Sequence, residues 1–243
     1  PQVGAARRIV SGRIGGRWPD RDNRPGIYRD RLIKEIRASY MLPWLKGLFP
    51  KLRIVLMVRD PVAVYESWKS LGWIGDQARA EEIFGLYRMA RCAGFDRQYP
   101  EWANHAREVF PSVEERAFCF DWFSAALVPL IELDERDYYL VGYEEVAADP
   151  AGILGGLFDW LNLPHPDADR LRAAATRSSS THFRRKEARI QVAEAGKPQR
   201  ALRDALEEAS SIFAGCCYTE LDGSLPGKLL DRARVIRAKR NRS

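Results

Sequence analysis

The sequence is poor in the residues that build metal centres and disulfide frameworks. Among 243 residues there are four cysteines and three histidines, and Cys216 and Cys217 are adjacent. No two cysteines have the Cys-x-x-Cys spacing typical of zinc sites. A chain of this length also has little need of disulfides to hold its core. We therefore expect no metal, and we expect the cysteines to be small buried thiols.

Long apolar runs are also missing. The longest, Ile54–Val58, has five residues, whereas a helix that spans a membrane needs about 20. The N-terminus lacks the order of charged, apolar and small residues that marks a secretory signal. The chain opens on Pro1 and a Gly- and Arg-rich stretch. We expect this start to be a cut and residues 1–30 to be irregular or poorly ordered.

The chain does contain enough apolar and aromatic side chains for one sizeable core. Hydrophobic residues make up 46% of it and aromatic residues 11%, which argues against disorder. We expect one domain over residues 31–222. Residues 223–243 form a basic tail, which we expect to be solvated. The net charge of +6 permits an anionic ligand.

The pattern of apolar residues predicts strands that alternate with helices. A continuous β-branched run such as 52–58 is typical of a strand buried on both faces of a parallel sheet. In chain order we predict a strand at 31–36, a helix at 40–48, the strand at 52–58, a helix at 62–71, helices over 77–133 with a polar break near 95–112, a strand at 138–141, a helix from 150 and a last helix at 202–213. This order favours an α/β layered fold with a mostly parallel sheet.

One turn has the chemistry of an anion site. Parallel sheets bind ligands outside the carboxyl ends of their strands, and Arg59 directly follows the strand at 52–58. A planar guanidinium can donate two parallel hydrogen bonds to a phosphate. Ser67 lies eight positions further on, where its hydroxyl can contact the same anion. In the alternative reading Arg59 caps the sheet edge and Ser67 faces solvent.

The strand, Arg-Asp-Pro and this serine resemble the element with which sulfotransferases bind the 3′-phosphate of 3′-phosphoadenosine 5′-phosphosulfate (PAPS). The upstream run KEIRASYMLPWLKGLFP and the downstream run YYLVGYEEVAADPAGILGGLFDWLNLP also resemble that family, in the same order. The pattern is especially similar to the tyrosylprotein and carbohydrate branches. The resemblance covers about residues 31–222. It implies a P-loop-type, three-layer α/β fold, with a mostly parallel central sheet flanked by helices.

The resemblance also implies an activity and a set of site residues. The implied reaction moves a sulfuryl group from PAPS to a hydroxyl or amine, gives adenosine 3′,5′-bisphosphate and needs no metal. Lys34 would be the catalytic residue that faces the sulfuryl group, although a surface lysine would look the same. Nucleotide contacts would come from Arg59, Ser67, Tyr143 and the basic loop residues Arg184, Arg185 and Lys186. Tyr143 could equally pack against the sheet, the basic loop could simply be solvated, and Glu144 is given no catalytic role.

Two parts of the family pattern are not found. The phosphate loop P-[KR]-[SA]-G-[ST]-[ST] does not occur, and residues 11–16 imitate it poorly. The general base that accepts the acceptor's proton is not identified either. His182, His105 and Glu35 are weak candidates for it. The acceptor is a small molecule, a glycan or a peptide, which residues 72–120 would contact.

Two other classes of function stay open. A nucleotide kinase of the same fold would need a Walker loop, and none is present. A non-catalytic module that binds nucleotides or nucleic acid would need aromatic residues among its basic ones. The basic clusters at 184–189 and 232–242 contain neither Trp nor Tyr, which disfavours nucleic acid. The Ala- and Arg-rich composition favours a bacterial cytoplasmic enzyme, with a trimmed Golgi-lumenal enzyme as the alternative.

Overall fold

A computed structural model describes the chain over residues 2–13, 32–34, 38–70, 93–109, 114–175, 200–213 and 224–242. Within these ranges the elements are α1 (Gln2–Val10), a 3₁₀ turn (Ser39–Met41), α2 (Leu42–Leu48), β1 (Ile54–Val58), α3 (Pro61–Ser70), α4 (Ala93–Gln98), α5 (Pro100–Val109), α6 (Glu114–Glu132), a 3₁₀ turn (Glu135–Asp137), β2 (Tyr138–Gly142), α7 (Tyr143–Ala148), α8 (Pro150–Leu161), α9 (Ala168–Ala175), α10 (Arg200–Phe213) and α11 (Leu225–Arg240). The chain divides into two units, residues 1–53 and 54–243, and each is described by itself.

The first unit begins with a helix where we expected irregular chain. Helix α1 ends in a Schellman motif, in which the Arg13 N–H donates to the Arg8 carbonyl at 2.8 Å and Gly12 has a φ of 71°. Glycine adopts this left-handed conformation without the strain that a Cβ would cause. The expectation of irregular structure is therefore wrong for Gln2–Val10. Residues 14–31 lie outside the described residues.

The segment after residue 31 differs from the prediction in its first part and agrees in its second. Leu32, Ile33 and Lys34, the described part of the strand predicted at 31–36, are not in a strand. The Leu32 side chain is 85% exposed, so this apolar run does not have the burial that would favour a strand. The helix predicted at 40–48 is confirmed as α2. Lys46 Nζ on α2 donates to the Leu52 carbonyl at 2.9 Å.

In the second unit, β1 and β2 pair in parallel. The register runs from Ile54 opposite Tyr138 to Val58 opposite Gly142. Both strands and their parallel direction were predicted and are confirmed. The expectation that β1 is buried on both faces is wrong, because the Met57 side chain is 57% exposed. Within the described residues the sheet consists of β1 and β2. The face of β1 that carries Met57 is only partly covered.

Helix α6 runs through the middle of the core. The rings of Phe120 and Phe123 contact Phe213 of α10 at centroid distances of 5.0 and 5.8 Å. Trp102 of α5 contacts the same Phe213 ring at 4.6 Å. The side chains of Phe120, Phe123 and Phe213 are completely buried. This aromatic cluster therefore joins the consecutive helices α5 and α6 to α10, which lies much later in the sequence.

The polar break predicted near 95–112 is wrong where the structure describes it. Helices α4 and α5 occupy Ala93–Gln98 and Pro100–Val109. Trp102, Ala103 and Ala106 form a buried face of α5. Two of these three residues are alanines, so the apolar face is small and the sequence looks polar. Residues 71–92 and 110–113, which were also predicted to be helical in part, lie outside the described residues.

The predicted solvated tail is also wrong, because α11 packs on the core. Leu229 and Ala233 are completely buried. Arg237 donates to the carbonyls of Leu130, Ile131 and Leu133 at 2.5, 3.0 and 2.7 Å. These carbonyls lie at the C-terminal end of α6, where a helix leaves its last acceptors unpaired and a cation is favourable. Three further arginines bind within the fold: Arg232 to the Phe213 carbonyl, Arg234 to Glu135 and Arg240 to Glu132.

Cys119 is a buried free thiol, as expected for the cysteines. The remaining three cysteines lie outside the described residues. Among the helices that the structure describes, none combines the length and the apolar character needed to cross a membrane.

Replacing Arg237 by methionine should lower the free energy of unfolding by about 1–3 kcal/mol, because three carbonyls lose their charged donor. Urea denaturation followed by circular dichroism measures this change. Lys239→Met is the matched control, since it removes the same charge from an exposed position on the same helix. The control should change the free energy by less than about 0.5 kcal/mol. Equal losses in both variants would contradict the role given to Arg237.

Candidate anion site at the strand ends

The register of the two strands brings Arg59 and Tyr143 together. They follow the paired residues Val58 and Gly142, so both leave the sheet at its carboxyl edge. The Cζ atom of Arg59 lies 4.7 Å from the centroid of the Tyr143 ring. Stacking of this kind contributes about 0.5–1 kcal/mol at exposed sites. Tyr143 is 44% exposed, and the pair stands where α/β sheets bind their ligands.

Arg59 has a donor that the described residues do not satisfy. Its Nε atom is buried and has no hydrogen-bond partner within that part of the chain. A buried charged donor without an acceptor is costly. An oxygen of a phosphate or sulfate would supply the acceptor, and the planar guanidinium suits that geometry. The donor set therefore fits an oxyanion.

The backbone around Arg59 is held by groups from three elements. The Asp60 carboxylate accepts from the Ala63 N–H at 2.8 Å and so caps the start of α3. The Arg59 carbonyl accepts from Trp122 Nε1 of α6 at 3.0 Å. The Asp60 N–H donates to Glu144 Oε1 of α7 at 3.1 Å. The turn after β1 is thus tied both to its own helix and to its neighbours.

Gly142 lies against a carboxylate in the turn after β2. The Gly142 N–H donates to Glu145 Oε2 at 3.2 Å, and the other oxygen of that carboxylate accepts from the Ser224 hydroxyl at 3.2 Å. A Cβ atom at position 142 would lie 2.7 Å from Glu145 Oε2. Any other residue would therefore displace the carboxylate that begins α7. This turn carries Tyr143 to its place beside Arg59.

Ser67 lies in α3 and is half-buried. It follows Ala63 by four residues, so it shares the face of the helix that Ala63 occupies and leans toward the N-terminus. The rise of a helix puts Ser67 about 9 Å along α3 from Pro61. Its carbonyl accepts from the Ser70 hydroxyl at 2.8 Å. Its own hydroxyl makes no hydrogen bond within the described part of the chain.

Of the other predicted site residues, the structure describes Lys34 alone. Lys34 is exposed and belongs to the first unit. Arg184, Arg185 and Lys186 lie outside the described residues. The candidate bases Glu35 and His182 lie outside them as well.

His105, the third candidate base, is partly buried on the far side of α6. Its Nε2 lies 4.0 Å from Glu208 Oε1, and its ring lies against Phe120. Trp122, which binds the Arg59 carbonyl, follows Phe120 by two positions, which is a rotation of about 200° around the helix. His105 and the Arg59 turn therefore lie on opposite sides of α6. This arrangement argues against His105 as a base for chemistry at Arg59.

The environment of His105 changes its protonation. Burial lowers the pKa of His105 from its ordinary 6.5, Glu208 opposes this shift and Arg116 adds to it. Arg116 donates two hydrogen bonds to Glu208, and these lower the pKa of that carboxyl. The group is thus an acid–base cluster between α5, α6 and α10. In the described ranges, this cluster included, no three His, Cys, Asp or Glu side chains group as metal ligands would.

Two residues of the site were missed from the sequence. Glu144 was noticed as the neighbour of Tyr143 but was given no role at the site. Trp122 carried no signal except its place in an apolar helical pattern. Their contacts with the Arg59 turn join residues 84 and 63 positions apart. Only the packed structure brings them together.

Comparison with known proteins agrees with this geometry. The model of a family described as the sulfotransferase family matches residues 17–167, more than half of the 243 residues. The chain therefore belongs to the sulfotransferase family, and its fold is the P-loop-type α/β fold of that family. Membership of this family makes the protein a transferase of the sulfotransferase class. A search of curated proteins and a search of solved structures gave no match.

Acidification should destabilise the protein through His105. Because its pKa in the folded chain lies below 6.5, the unfolded chain binds the proton more readily. Stability should therefore fall as the pH drops below about 6.5, until the pH reaches the lowered value. The Glu208 carboxyl, whose pKa lies below 4.5, takes up its proton at a lower pH than this window and does not account for the loss.

Urea denaturation at several pH values from about 7.5 to about 5 measures this loss. His105→Gln should flatten the slope in that window. His165→Gln is the control, because it removes an exposed imidazole on a different part of the unit, and the slope should persist in it. An unchanged slope in His105→Gln would show that another group causes it.

Proposed function

We propose that this protein transfers a sulfuryl group from PAPS to a hydroxyl or amine acceptor and releases adenosine 3′,5′-bisphosphate. The observation that carries the proposal is the buried Nε of Arg59 at the carboxyl edge of the parallel strands, which has no hydrogen-bond partner among the described residues. In this proposal Arg59 binds the 3′-phosphate of the nucleotide. Membership of the sulfotransferase family supports the reaction class.

The surroundings of Arg59 support a phosphate ligand. The Asp60 carboxylate already accepts the Ala63 N–H at the start of α3. The phosphate would therefore depend on the guanidinium more than on the amides at this helix end. Tyr143 holds the guanidinium by stacking, and its exposed part can contact the nucleotide. The Ser67 hydroxyl would add one neutral hydrogen bond.

The proposed chemistry relies on position and charge. PAPS supplies an activated sulfuryl group, and negative charge grows on the transferring group and on the leaving phosphate. Positive groups aimed at that charge accelerate such a step. Lys34 is proposed for this role, with an exposed ammonium that is accessible to a ligand. Arg184, Arg185 and Lys186 are proposed to bind the nucleotide.

The acceptor and the compartment are proposed more broadly. A hydroxyl or amine on a small molecule, a glycan or a peptide would satisfy the reaction. The composition, rich in alanine and arginine, supports the cytoplasm of a bacterium. Four arginines of α11 bind groups within the fold. The basic C-terminal end therefore gives less support to nucleic-acid binding than its charge suggests.

Arg59→Ala should weaken the binding of adenosine 3′,5′-bisphosphate by well over tenfold in calorimetry. Removal of one charged partner of a phosphate costs about 2–5 kcal/mol. Arg59→Lys should fall in between, because it keeps the charge but loses the planar pair of donors. Arg136→Ala is the matched control, since Arg136 is an exposed arginine just before β2. An affinity of Arg59→Ala within twofold of wild type would refute the assignment.

Lys34→Ala should lower kcat by about a hundredfold or more and leave the bisphosphate affinity nearly unchanged, because Lys34 would meet charge that develops in the transition state. The assay follows radiolabelled PAPS with phenol, sugar and peptide acceptors. Lys51→Ala, which removes an exposed lysine from the same unit, is the control. A full kcat in Lys34→Ala would remove Lys34 from the site. Binding of PAPS without transfer by the wild type would favour a non-catalytic nucleotide-binding protein.

A further inference from the structure

One peptide group of the Arg59 turn is held at both of its polar atoms. The carbonyl of Arg59 accepts from Trp122 Nε1 at 3.0 Å, and the N–H of Asp60 donates to Glu144 Oε1 at 3.1 Å. These two atoms belong to the same planar unit, here called the Arg59–Asp60 peptide. The two side chains come from different helices, α6 and α7. Among the hydrogen bonds described for this turn, no other peptide binds side chains at both its N–H and its carbonyl.

Glu144 takes the place of a strand partner. The ladder of the parallel pair ends at Val58 opposite Gly142. Beyond it α7 begins at Tyr143, so the second segment is no longer a strand. The carboxylate of Glu144 accepts the Asp60 N–H, two residues past Val58. The pairing between the two chain segments is thus extended by one hydrogen bond past the end of the sheet.

Fixing this peptide also fixes the direction of the Arg59 side chain. Hydrogen bonds at both polar atoms hold the plane of this peptide, and strand β1 holds the backbone before it, so ψ of Arg59 is restricted. This angle relates the bond from Cα to Cβ of Arg59 to the held peptide plane. At the other end of the side chain, the Tyr143 ring holds the guanidinium. A donor ordered in this way loses less conformational freedom when it binds a ligand.

We propose that Trp122 and Glu144 are positioning residues for the anion site, and that they act through Arg59 without contacting the ligand. This inference rests on the proposed function, in which Arg59 binds the 3′-phosphate. Neither residue was assigned to the site from the sequence.

The two possible effects of Glu144, through its charge and through the position of Arg59, change the bisphosphate affinity in opposite directions. A carboxylate near a bound phosphate repels it, so removal of the charge alone would strengthen binding. If Glu144 only contributes charge, both Glu144→Ala and Glu144→Gln should bind the bisphosphate more tightly. If it positions Arg59, Glu144→Ala should bind more weakly. Glu144→Gln, whose amide oxygen can still accept the Asp60 N–H, should then bind as well as wild type or better.

The first experiment uses the protein without nucleotide. Hydrogen exchange at the Asp60 amide, followed by NMR, should be faster in Glu144→Ala and similar to wild type in Glu144→Gln. Glu101→Ala is the control, because it removes an exposed carboxylate from α5 and leaves both turns at the strand ends intact. That control should leave exchange at Asp60 unchanged. Equal exchange in Glu144→Ala and wild type would overturn the inference whatever the nucleotide does.

The second experiment is a double-mutant cycle in calorimetry with adenosine 3′,5′-bisphosphate. Glu144→Ala and Trp122→Phe should each weaken binding about three- to tenfold. The weakening should disappear in an Arg59→Ala background, where Trp122→Phe should have no effect and Glu144→Ala should only relieve the repulsion between its carboxylate and the phosphate. Weakening that persists in that background, or single variants that bind like wild type, would overturn the positioning roles. A wild type that binds no bisphosphate would overturn the proposed function itself.

Discussion

The in-register pairing of β1 with β2 is the constraint on which the site depends. A shift by one residue would turn every side chain of a strand to the other face of the sheet. It would also move Arg59 away from Tyr143, because the two residues meet only when Val58 lies opposite Gly142. Burial of Ile54, Val58 and Val141 stabilises the observed register. The core that holds the strands in place thus also positions the guanidinium.

Much of the fold could be predicted because its signals are local. The β-branched run of β1, the Asp-Pro pairs before α3 and α8 and the apolar face of α10 each lie within one short segment. Helix α5 was missed because its buried face is largely alanine, which contributes little hydrophobicity to a pattern. The exposure of Met57 could not be predicted either. A strand's apolar run does not show how much of each face its neighbours cover.

The residues of the candidate site also differ in whether their sequence signal is local. Arg59 follows a strand and Tyr143 lies in a recognisable motif, so the sequence was sufficient to select both. Trp122 and Glu144 act by hydrogen bonds to a backbone that is distant in the sequence, and such bonds leave no local pattern. Lys34 shows the opposite case. Its motif was recognised, but the strand expected to carry it is not present in the described residues 32–34.

The packing of α11 has a consequence for how the protein is made. Arg237 binds the Ile131 carbonyl, 106 positions earlier in the chain. Helix α6 and strand β2 therefore leave the ribosome long before the segment that completes them is synthesised. Until then, the carbonyls at the end of α6 and the apolar surface that Leu229 covers stay exposed to solvent or to chaperones. Packing of the second unit can therefore be completed only after the Leu225–Arg240 helix has left the ribosome.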